Sequence, residues 1–322
     1  MSDVLPRVAV AGAGVFGRNH LRVIRETGHA ELAGVFDLDR DRARAAAQEF
    51  GCRAYESLEE LAGHAQAAIV AVPTSAHREV TCRLLDAGLD VLVEKPIAVT
   101  TAEAHDMIVD ARRHGRILQV GHLERFNPAV EAAMKLITLP LFYEIHRLSV
   151  FSPRSLDVDV VADLMIHDLD ILLAMTGRMP EEIHAAGIPV LSGKADIANV
   201  RLAFPGGCIA NLTASRVSTE RVRKLRFFQP RQYVSVDYAK QECFAIGVDE
   251  ARQVRLMPQT VAKEEPLKRQ LDAFLECVAS RSRPAVDGEA AAAALELAQI
   301  IMDKIEAHGQ VVARSLAEAS IR

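Results

Sequence analysis

Short runs of small and branched apolar residues alternate with longer amphipathic stretches over the first part of the chain. The runs predict five buried strands, at residues 8–11, 30–36, 67–72, 91–93 and 117–121. Helical periodicity fills the intervals between them, and glycines such as Gly88 and Gly115 end two of the helices. Strands that alternate with helices form a parallel sheet covered on both faces. Residues 1–122 are therefore predicted to be a doubly wound Rossmann domain.

The pattern changes after His122. A strand is predicted over 143–151 and an apolar helix over 160–175, ended by Gly177. From 183 to 257, stretches with apolar residues at alternate positions follow one another without helices between them, which predicts an antiparallel sheet. Helices at 267–280 and 289–308 complete the chain. The sequence thus predicts an α/β protein of two domains, 1–122 and 123–322.

Composition narrows the function classes. The 322 residues carry a net charge of -5 and no basic stripe, which argues against nucleic acid and anionic membrane as partners. No apolar run reaches about 18 residues, and no signal-peptide cleavage pattern is seen, so a cytoplasmic protein is expected. The five cysteines are scattered without metal-ligand spacing, which predicts free thiols and no metal site.

A glycine-rich turn follows the first strand. Gly12, Gly14 and Gly17 form G-x-G-x-x-G between a strand and a helix, the context that this dinucleotide-binding motif requires. Gly12 permits the turn, Gly14 lets the backbone approach a pyrophosphate, and Gly17 lets the helix pack on the sheet. Asp37 ends the second strand about 20 residues later, where an acid binds the ribose hydroxyls. This favours NAD over NADP, although a loop acid or helix cap is an alternative for Asp37.

A second candidate is Lys95, in Glu94-Lys95-Pro96 at the end of a parallel strand. Ligands bind at that edge of doubly wound sheets, and an ammonium there stabilises a developing oxyanion. The alternative is a surface lysine in a strand-end loop.

A third candidate is the D-x-x-x-H pattern of Asp163 and His167, with Asp170 three residues further on. On an α-helix, residues four apart share a face, so the carboxylate orients the imidazole as a general base. A metal site, or plain capping and surface charge, are the alternatives.

In this order, the glycine turn, Val72-Pro73-Thr74 with His77, Glu94-Lys95-Pro96 and D-x-x-x-H resemble the Gfo/Idh/MocA oxidoreductase family across nearly the whole chain. The resemblance implies an N-terminal Rossmann domain that binds NAD. It also implies a C-terminal α+β domain, for substrate binding and oligomerisation, with a large, mostly antiparallel open sheet. The implied chemistry is hydride transfer from a sugar or polyol carbon. Met165 departs from the family, because many relatives carry Gly there.

The resemblance also assigns residues. Lys95 matches the catalytic lysine, His167 the base and Asp163 the assisting acid, and the Lys95–Pro96 bond is expected to be cis. The predicted cofactor-binding residues are Gly12, Gly14, Val15, Phe16, Gly17, Asp37, Pro73, Thr74, His77, Glu94 and Lys95. The predicted substrate-binding residues are Lys95, Arg125, Asn127, Arg154, Asp163 and His167.

Narrower features, such as Gly121-His122-Leu123-Glu124-Arg125-Phe126-Asn127-Pro128, are similar to the branch that oxidises UDP-N-acetylglucosamine at the 3-hydroxyl for the diamino sugar of lipid A. Arg125 and Arg154 then suit a diphosphate, with surface salt bridges as the alternative. A dehydrogenase of a free sugar or inositol, and a non-catalytic NAD-binding sensor, stay open as other functions.

The sheet also predicts a homo-oligomer, a dimer or tetramer. Few helices are available to cover a wide antiparallel sheet, so one face is left for a second copy. Phe227, Phe228, Tyr233 and Tyr238 are the aromatic residues expected to give that face its apolar character.

Overall fold

A computed structural model describes residues 5–151, 158–249 and 251–320. The chain divides into two compact units. The first runs to Phe126 and includes Glu264–Ala292; the second comprises Asn127–Lys263 and the chain from Ala293 onward.

The first unit is built on a parallel six-stranded sheet, in the order β3-β2-β1-β4-β5-β6. In chain order its elements are β1 (Arg7–Ala11), α1 (Val15–Thr27), β2 (Glu31–Phe36), α2 (Arg40–Phe50), β3 (Arg53–Ala54), α3 (Leu58–Ala62), β4 (Ala67–Val70), α4 (His77–Asp86), β5 (Asp90–Glu94), α5 (Thr101–Arg113) and β6 (Leu118–Gly121). The central strands β4 and β5 are buried throughout, because helices cover both faces of a parallel sheet. The doubly wound Rossmann prediction is confirmed.

Caps define the helices of this unit. Asp39 caps α2, accepting hydrogen bonds from the backbone N–H groups of Asp41 and Arg42. Thr100 and Glu103 form a capping box at α5. Gly28 and Gly51 end α1 and α2 in the left-handed conformation.

The second unit holds an eight-stranded sheet, in the order β14-β13-β12-β11-β7-β10-β9-β8. Its elements are α6 (Pro128–Met134), β7 (Phe142–Val150), α7 (Ile166–Thr176), β8 (Glu182–Ile188), β9 (Ile197–Ala203), β10 (Ile209–Ser218), β11 (Val222–Gln229), β12 (Gln232–Asp237), β13 (Glu242–Val248) and β14 (Val254–Pro258). Every neighbouring pair is antiparallel except β7 and β10, which run parallel. The large, mostly antiparallel sheet is confirmed.

One face of this sheet carries the core of the second unit. Ile145, Val200, Leu212, Phe227 and Val234 are buried there. They pack with apolar residues of α7 and of the chain beyond Ala293, because alternate positions of each strand point to the same face.

Two long helices follow the sheet, α8 (Pro266–Ser280) and α9 (Gly288–Ser320). The predicted boundary, with 123–322 as one domain, differs from the structure, because α8 belongs to the first unit. Leu267, Leu271 and Phe274 recur at helical spacing and join the core of that unit, and Asp272 accepts a hydrogen bond from the Thr27 hydroxyl of α1. This packing returns the chain to the Rossmann unit, which no local pattern in the sequence indicates.

Within the described ranges, no helix has both the length and the apolar character that crossing a bilayer requires. The five cysteines are free thiols.

Candidate functional site

The turn between β1 and α1 has the geometry that its glycines predict. Gly12 has φ +105°, and a Cβ there would lie 2.5 Å from the Ala71 carbonyl oxygen. A Cβ on Gly17 would lie 1.8 Å from the Gly12 carbonyl oxygen, so α1 packs against the turn only with glycine at this position. A Cβ on Gly14 would meet open space, which leaves its backbone open to approach.

The N-terminus of α1 is suited to an anion. Gly14 at its N-cap position makes no side-chain capping bond, and the first turn holds no acidic residue. Val15 and Phe16 are 64% and 52% exposed. The free N–H groups and the positive end of the helix dipole therefore face outward, the arrangement by which such turns hold a dinucleotide pyrophosphate.

A cavity of about 670 Å³ lies beside this turn. Five predicted cofactor residues besides Gly12 line it: Gly14, Val15, Phe16, Asp37 and Pro73. Apolar side chains that include Leu38, Leu58 and Val80 form much of the rest. An apolar pocket next to a phosphate-binding turn fits the adenosine part of NAD.

Asp37 directly follows β2 and has two backbone donors. Its Oδ2 accepts from the Ala13 N–H at 2.7 Å, and its Oδ1 accepts from the Asp39 N–H at 2.9 Å. The carboxylate therefore ties the end of β2 to the glycine turn. Because Asp39 is the cap of α2, Asp37 is not that cap. The Arg42 guanidinium lies 3.6 Å from Asp37 and also lines the cavity.

Lys95 follows β5 directly and is half-buried. The predicted cis bond between Lys95 and Pro96 is confirmed. The Glu94 carboxylate is buried; its Oε1 lies 2.7 Å from His20 Nε2, and its Oε2 accepts from the Lys95 N–H at 3.3 Å. The Glu94 side chain is thus held between His20 and the backbone of Lys95, and it does not line the cavity.

Besides Glu94, four predicted cofactor residues do not line the cavity: Gly17, Thr74, His77 and Lys95. The His77 ring is 1% exposed, with Nδ1 2.9 Å from the Pro96 carbonyl oxygen and Nε2 3.0 Å from the Val72 carbonyl oxygen. Burial lowers the pKa of this imidazole. Both ring nitrogens therefore lie within hydrogen-bond distance of backbone carbonyl oxygens, and a neutral ring donates to one of the two. Thr74 is half-buried and begins the short 3₁₀ turn Thr74–Ala76.

Asp163 and His167 lie in the second unit, and both are half-buried. The helix opens with a π-helical turn, Val161–Met165, before α7 begins at Ile166. Asp163 therefore stands in a wider turn than the regular α-helix on which the prediction of a shared face rested. Single π turns recur at functional sites. Asp170, expected near the same side, is buried.

Asp168, which the sequence reasoning left without a role, forms a buried ion pair. Its carboxylate accepts from Arg147 Nε at 2.7 Å and Arg147 Nη2 at 2.8 Å, and from the Tyr238 hydroxyl at 3.2 Å. The Arg147 guanidinium lies over the Tyr238 ring, 5.1 Å from its centroid. The network fastens the first turn of α7 to β7. Its signal in the sequence is an arginine in register with the inward residues Tyr143 and Ile145.

The predicted sugar-nucleotide contacts have different outcomes. The Arg125 Nη2 donates to the Ala285 carbonyl oxygen at 2.9 Å. Asn127 is buried, caps α6 by accepting from the Ala129 N–H, and donates to the Tyr238 carbonyl oxygen at 3.0 Å. Both side chains thus make structural contacts. Arg154 lies outside the described residues.

No group of three or more His, Cys, Asp or Glu side chains in the described ranges is arranged to hold a metal ion.

Two family profiles match the chain. The GFO/IDH/MocA oxidoreductase family, NAD-binding Rossmann fold, matches residues 6–122, and the GFO/IDH/MocA C-terminal domain matches 144–232.

Individual relatives agree with these profiles. UDP-N-acetylglucosamine 3-dehydrogenase of Acidithiobacillus ferrooxidans is 35% identical over 307 residues, which are 94% of this chain and 97% of that protein. The solved structure of that enzyme, GnnA, has a TM-score of 0.89 over 94% of this chain and 99% of that one. D-apiose dehydrogenase of Paraburkholderia graminis is 31% identical over 249 residues, 72% of this chain and 65% of that protein.

Proposed function

Because the chain belongs to the GFO/IDH/MocA family and is an NAD-dependent dehydrogenase of CH–OH groups, we propose that it oxidises the 3-hydroxyl of UDP-N-acetylglucosamine to a ketone. The observation that carries this choice is the near full-length likeness, in sequence and in fold, to an enzyme of that name. The D-apiose dehydrogenase match covers a smaller share of both chains, which makes that substrate a weaker choice.

The cofactor is held by the first unit. The glycine turn and the N-terminus of α1 bind its pyrophosphate, and Asp37 accepts from the adenosine ribose hydroxyls and repels a 2′-phosphate. Bound NAD supplies the hydride acceptor of the reaction. Pro73 and the apolar lining of the cavity exclude water from the adenosine part.

The proton chemistry falls to three side chains. Lys95 donates a hydrogen bond to the reacting oxygen and stabilises the negative charge that develops on it. His167 accepts the hydroxyl proton, since histidine is the side chain most often used as a general base. Asp163 assists His167 by orienting its imidazole.

Guanidinium groups are assigned to the substrate. Arg125 and Arg154 are the guanidinium groups that we assign to the diphosphate of the nucleotide sugar, and Asn127 stands beside Arg125 in sequence as a further substrate-binding residue. The 3-keto product is a substrate for an aminotransferase, as in routes to diamino sugars of lipid A. We also propose a cytoplasmic homo-oligomer, because the free thiols suit a reducing compartment and the large sheet carries exposed apolar side chains such as Phe228 and Leu256.

The test is a screen of UDP-sugars against free sugars and inositols, with NAD and purified full-length protein. We expect absorbance at 340 nm to rise with UDP-N-acetylglucosamine and not with free N-acetylglucosamine. Reduction of the product with borodeuteride is expected to place deuterium at C3. Turnover of a free sugar alone would point to the runner-up substrate class, and NAD binding without any turnover would point to the sensor.

A further inference from the structure

Two buried histidines flank the Glu94-Lys95-Pro96 segment in the first unit. His20 lies on α1 and His77 at the start of α4, and each is 1% exposed. Neither ring lines the cavity beside the glycine turn, and the proposed proton chemistry uses neither.

His77 joins the carboxyl ends of two neighbouring strands. Its Nε2 is 3.0 Å from the carbonyl oxygen of Val72, just after β4, and its Nδ1 is 2.9 Å from the carbonyl oxygen of Pro96, just after β5. A neutral imidazole carries one N–H and donates to one of these oxygens at a time, whereas the doubly protonated ring donates to both. When Nδ1 carries a proton, the ring donates to the Pro96 carbonyl oxygen and ties the backbone on the C-terminal side of Lys95 to the start of α4.

His20 fixes the other side. Its Nε2 lies 2.7 Å from Glu94 Oε1, and Glu94 Oε2 accepts from the N–H of Lys95 itself. The carboxylate also packs against β6, where a Cβ on Gly121 would lie 3.0 Å from Glu94 Oε2. The backbone on the N-terminal side of Lys95 is thus held between α1 and β6.

We propose that His77 and His20 are positioning residues for Lys95: they fix the backbone on its two sides and thereby set where its ammonium lies. The inference rests on the proposed role of Lys95 at the reacting oxygen. A lysine side chain is long and flexible, so a fixed backbone is required before its ammonium can occupy one place. Buried histidines that serve only the core would stabilise the fold without acting through Lys95.

A double-mutant cycle separates these two roles. His77→Phe keeps a planar ring and removes the imidazole N–H that binds the backbone. We expect it to lower kcat by about 10- to 100-fold, the loss that a misplacement of about 1 Å produces. In a Lys95→Ala background the same substitution is expected to change kcat by less than about twofold, because the group that it positions is absent. Equal effects in both backgrounds would overturn the proposal.

Matched variants control for folding. His105 is an exposed histidine on α5, and His105→Phe is expected to leave kcat unchanged. His77→Gln restores one donor and is expected to recover part of the lost kcat, with KM for NAD close to that of the unsubstituted enzyme. A Gln variant no better than Phe, at equal thermal stability, would show that the donors do not matter and would refute the assignment.

Hydrogen exchange tests the same idea without turnover. In His77→Phe and in His20→Phe, the peptide spanning Glu94–Ala98 is expected to exchange faster, with the β1 peptide unchanged as the reference. Unchanged exchange at 94–98 would overturn the proposal even if no substrate were turned over. If instead the exchange rises but Lys95→Ala keeps full activity, the proposed role of Lys95 fails and the positioning of the loop stands.

Discussion

Among single residues, Asp37 has two roles. Its carboxylate accepts from the Ala13 N–H and so holds the glycine turn, and it also lines the cavity. Asp37→Ala is expected to raise KM for NAD by about 10-fold or more, the loss expected for a charge-assisted hydrogen bond. It should also reduce the ratio of KM for NADP to KM for NAD, because the Arg42 guanidinium no longer has Asp37 as its neighbour. Initial rates with both cofactors measure this, with the exposed Asp41→Ala as control. An unsubstituted enzyme that prefers NADP would contradict the assignment.

The proposed proton chemistry predicts a selective loss of turnover. Lys95→Ala and His167→Ala are each expected to lower kcat by about 10² to 10⁴-fold, the usual contribution of a general acid or base. Binding of NADH, followed by fluorescence, should stay unchanged. Lys240→Ala and His184→Ala, at exposed positions, serve as controls. Near-normal kcat in either active-site variant would remove that residue from the mechanism.

His122 predicts a pH dependence of stability. Burial, together with the charges of Lys95 and Arg125, lowers its pKa to about 3, against about 6.5 in an unfolded chain. The folded state therefore disfavours protonation of His122. The free energy of unfolding falls as pH drops below about 6.5, by about 2 kcal/mol at pH 5. The free energy of unfolding of the unsubstituted protein, relative to that of His122→Gln, should therefore decrease from pH 7.5 to 5.0. Urea midpoints with parallel pH dependence in the two proteins would contradict this.

At the scale of elements, the Arg147–Asp168 pair fastens α7 to β7, with both side chains 3% exposed or less. Removing one partner leaves the other charge buried, so Arg147→Met or Asp168→Asn should each cost about 3–5 kcal/mol. The double substitution Arg147→Met/Asp168→Asn should cost less than the sum of the two single substitutions. Arg226→Ala, in a partly exposed pair with Glu144, is the control and should cost about 1 kcal/mol or less. Denaturant unfolding measures the free energy of unfolding of all four variants. If the losses of the two single substitutions add up to the loss of the double, the two side chains are not coupled.

At the scale of the whole molecule, cross-strand register assembles an apolar row on the outer face of the large sheet. Phe142, Phe228, Tyr233, Ile246 and Leu256 are directly opposite one another on successive strands. Phe228 lies 5.7 Å from Phe142 and 5.0 Å from Tyr233, between ring centroids. The expectation was wrong for Phe227 and Tyr238, which are buried on the inner side because neighbouring strand positions alternate. Phe228 and Tyr233 remain candidates for the interface.

This row predicts a homo-oligomer, since a two-fold pairing covers it on both copies at once. Light scattering at micromolar concentration is expected to give a dimer or tetramer. Leu256 is 67% exposed, and Leu256→Glu with Phe228→Arg should shift the mass toward 35.1 kDa. Val109→Asp, at an exposed position on α5, should leave the mass unchanged. A monomer before any substitution would refute the prediction.

The sequence by itself determined the features that depend on a few neighbouring residues. Glycine at positions 12 and 17 follows from the space around one turn, and the cap at Asp39 follows from the unpaired N–H groups of a helix start. Buried runs and helical periods indicated the individual strands and helices of the first unit. These are local because hydrogen bonding and side-chain direction in one element are set within about 15 residues.

Contacts between residues far apart in sequence are visible only in the tertiary structure. The sequence cannot tell that Arg147 pairs with Asp168, 21 positions away, until the register of β7 and the packing of α7 are known. It gives no sign of the π turn at Asp163, or that α8 returns to the first unit. The sequence predicts His77 and Glu94 as cofactor contacts. In the structure their side chains contact the backbone on either side of Lys95. Pairings of this kind depend on long-range packing, in which many compatible partners exist for each polar group and the fold selects among them.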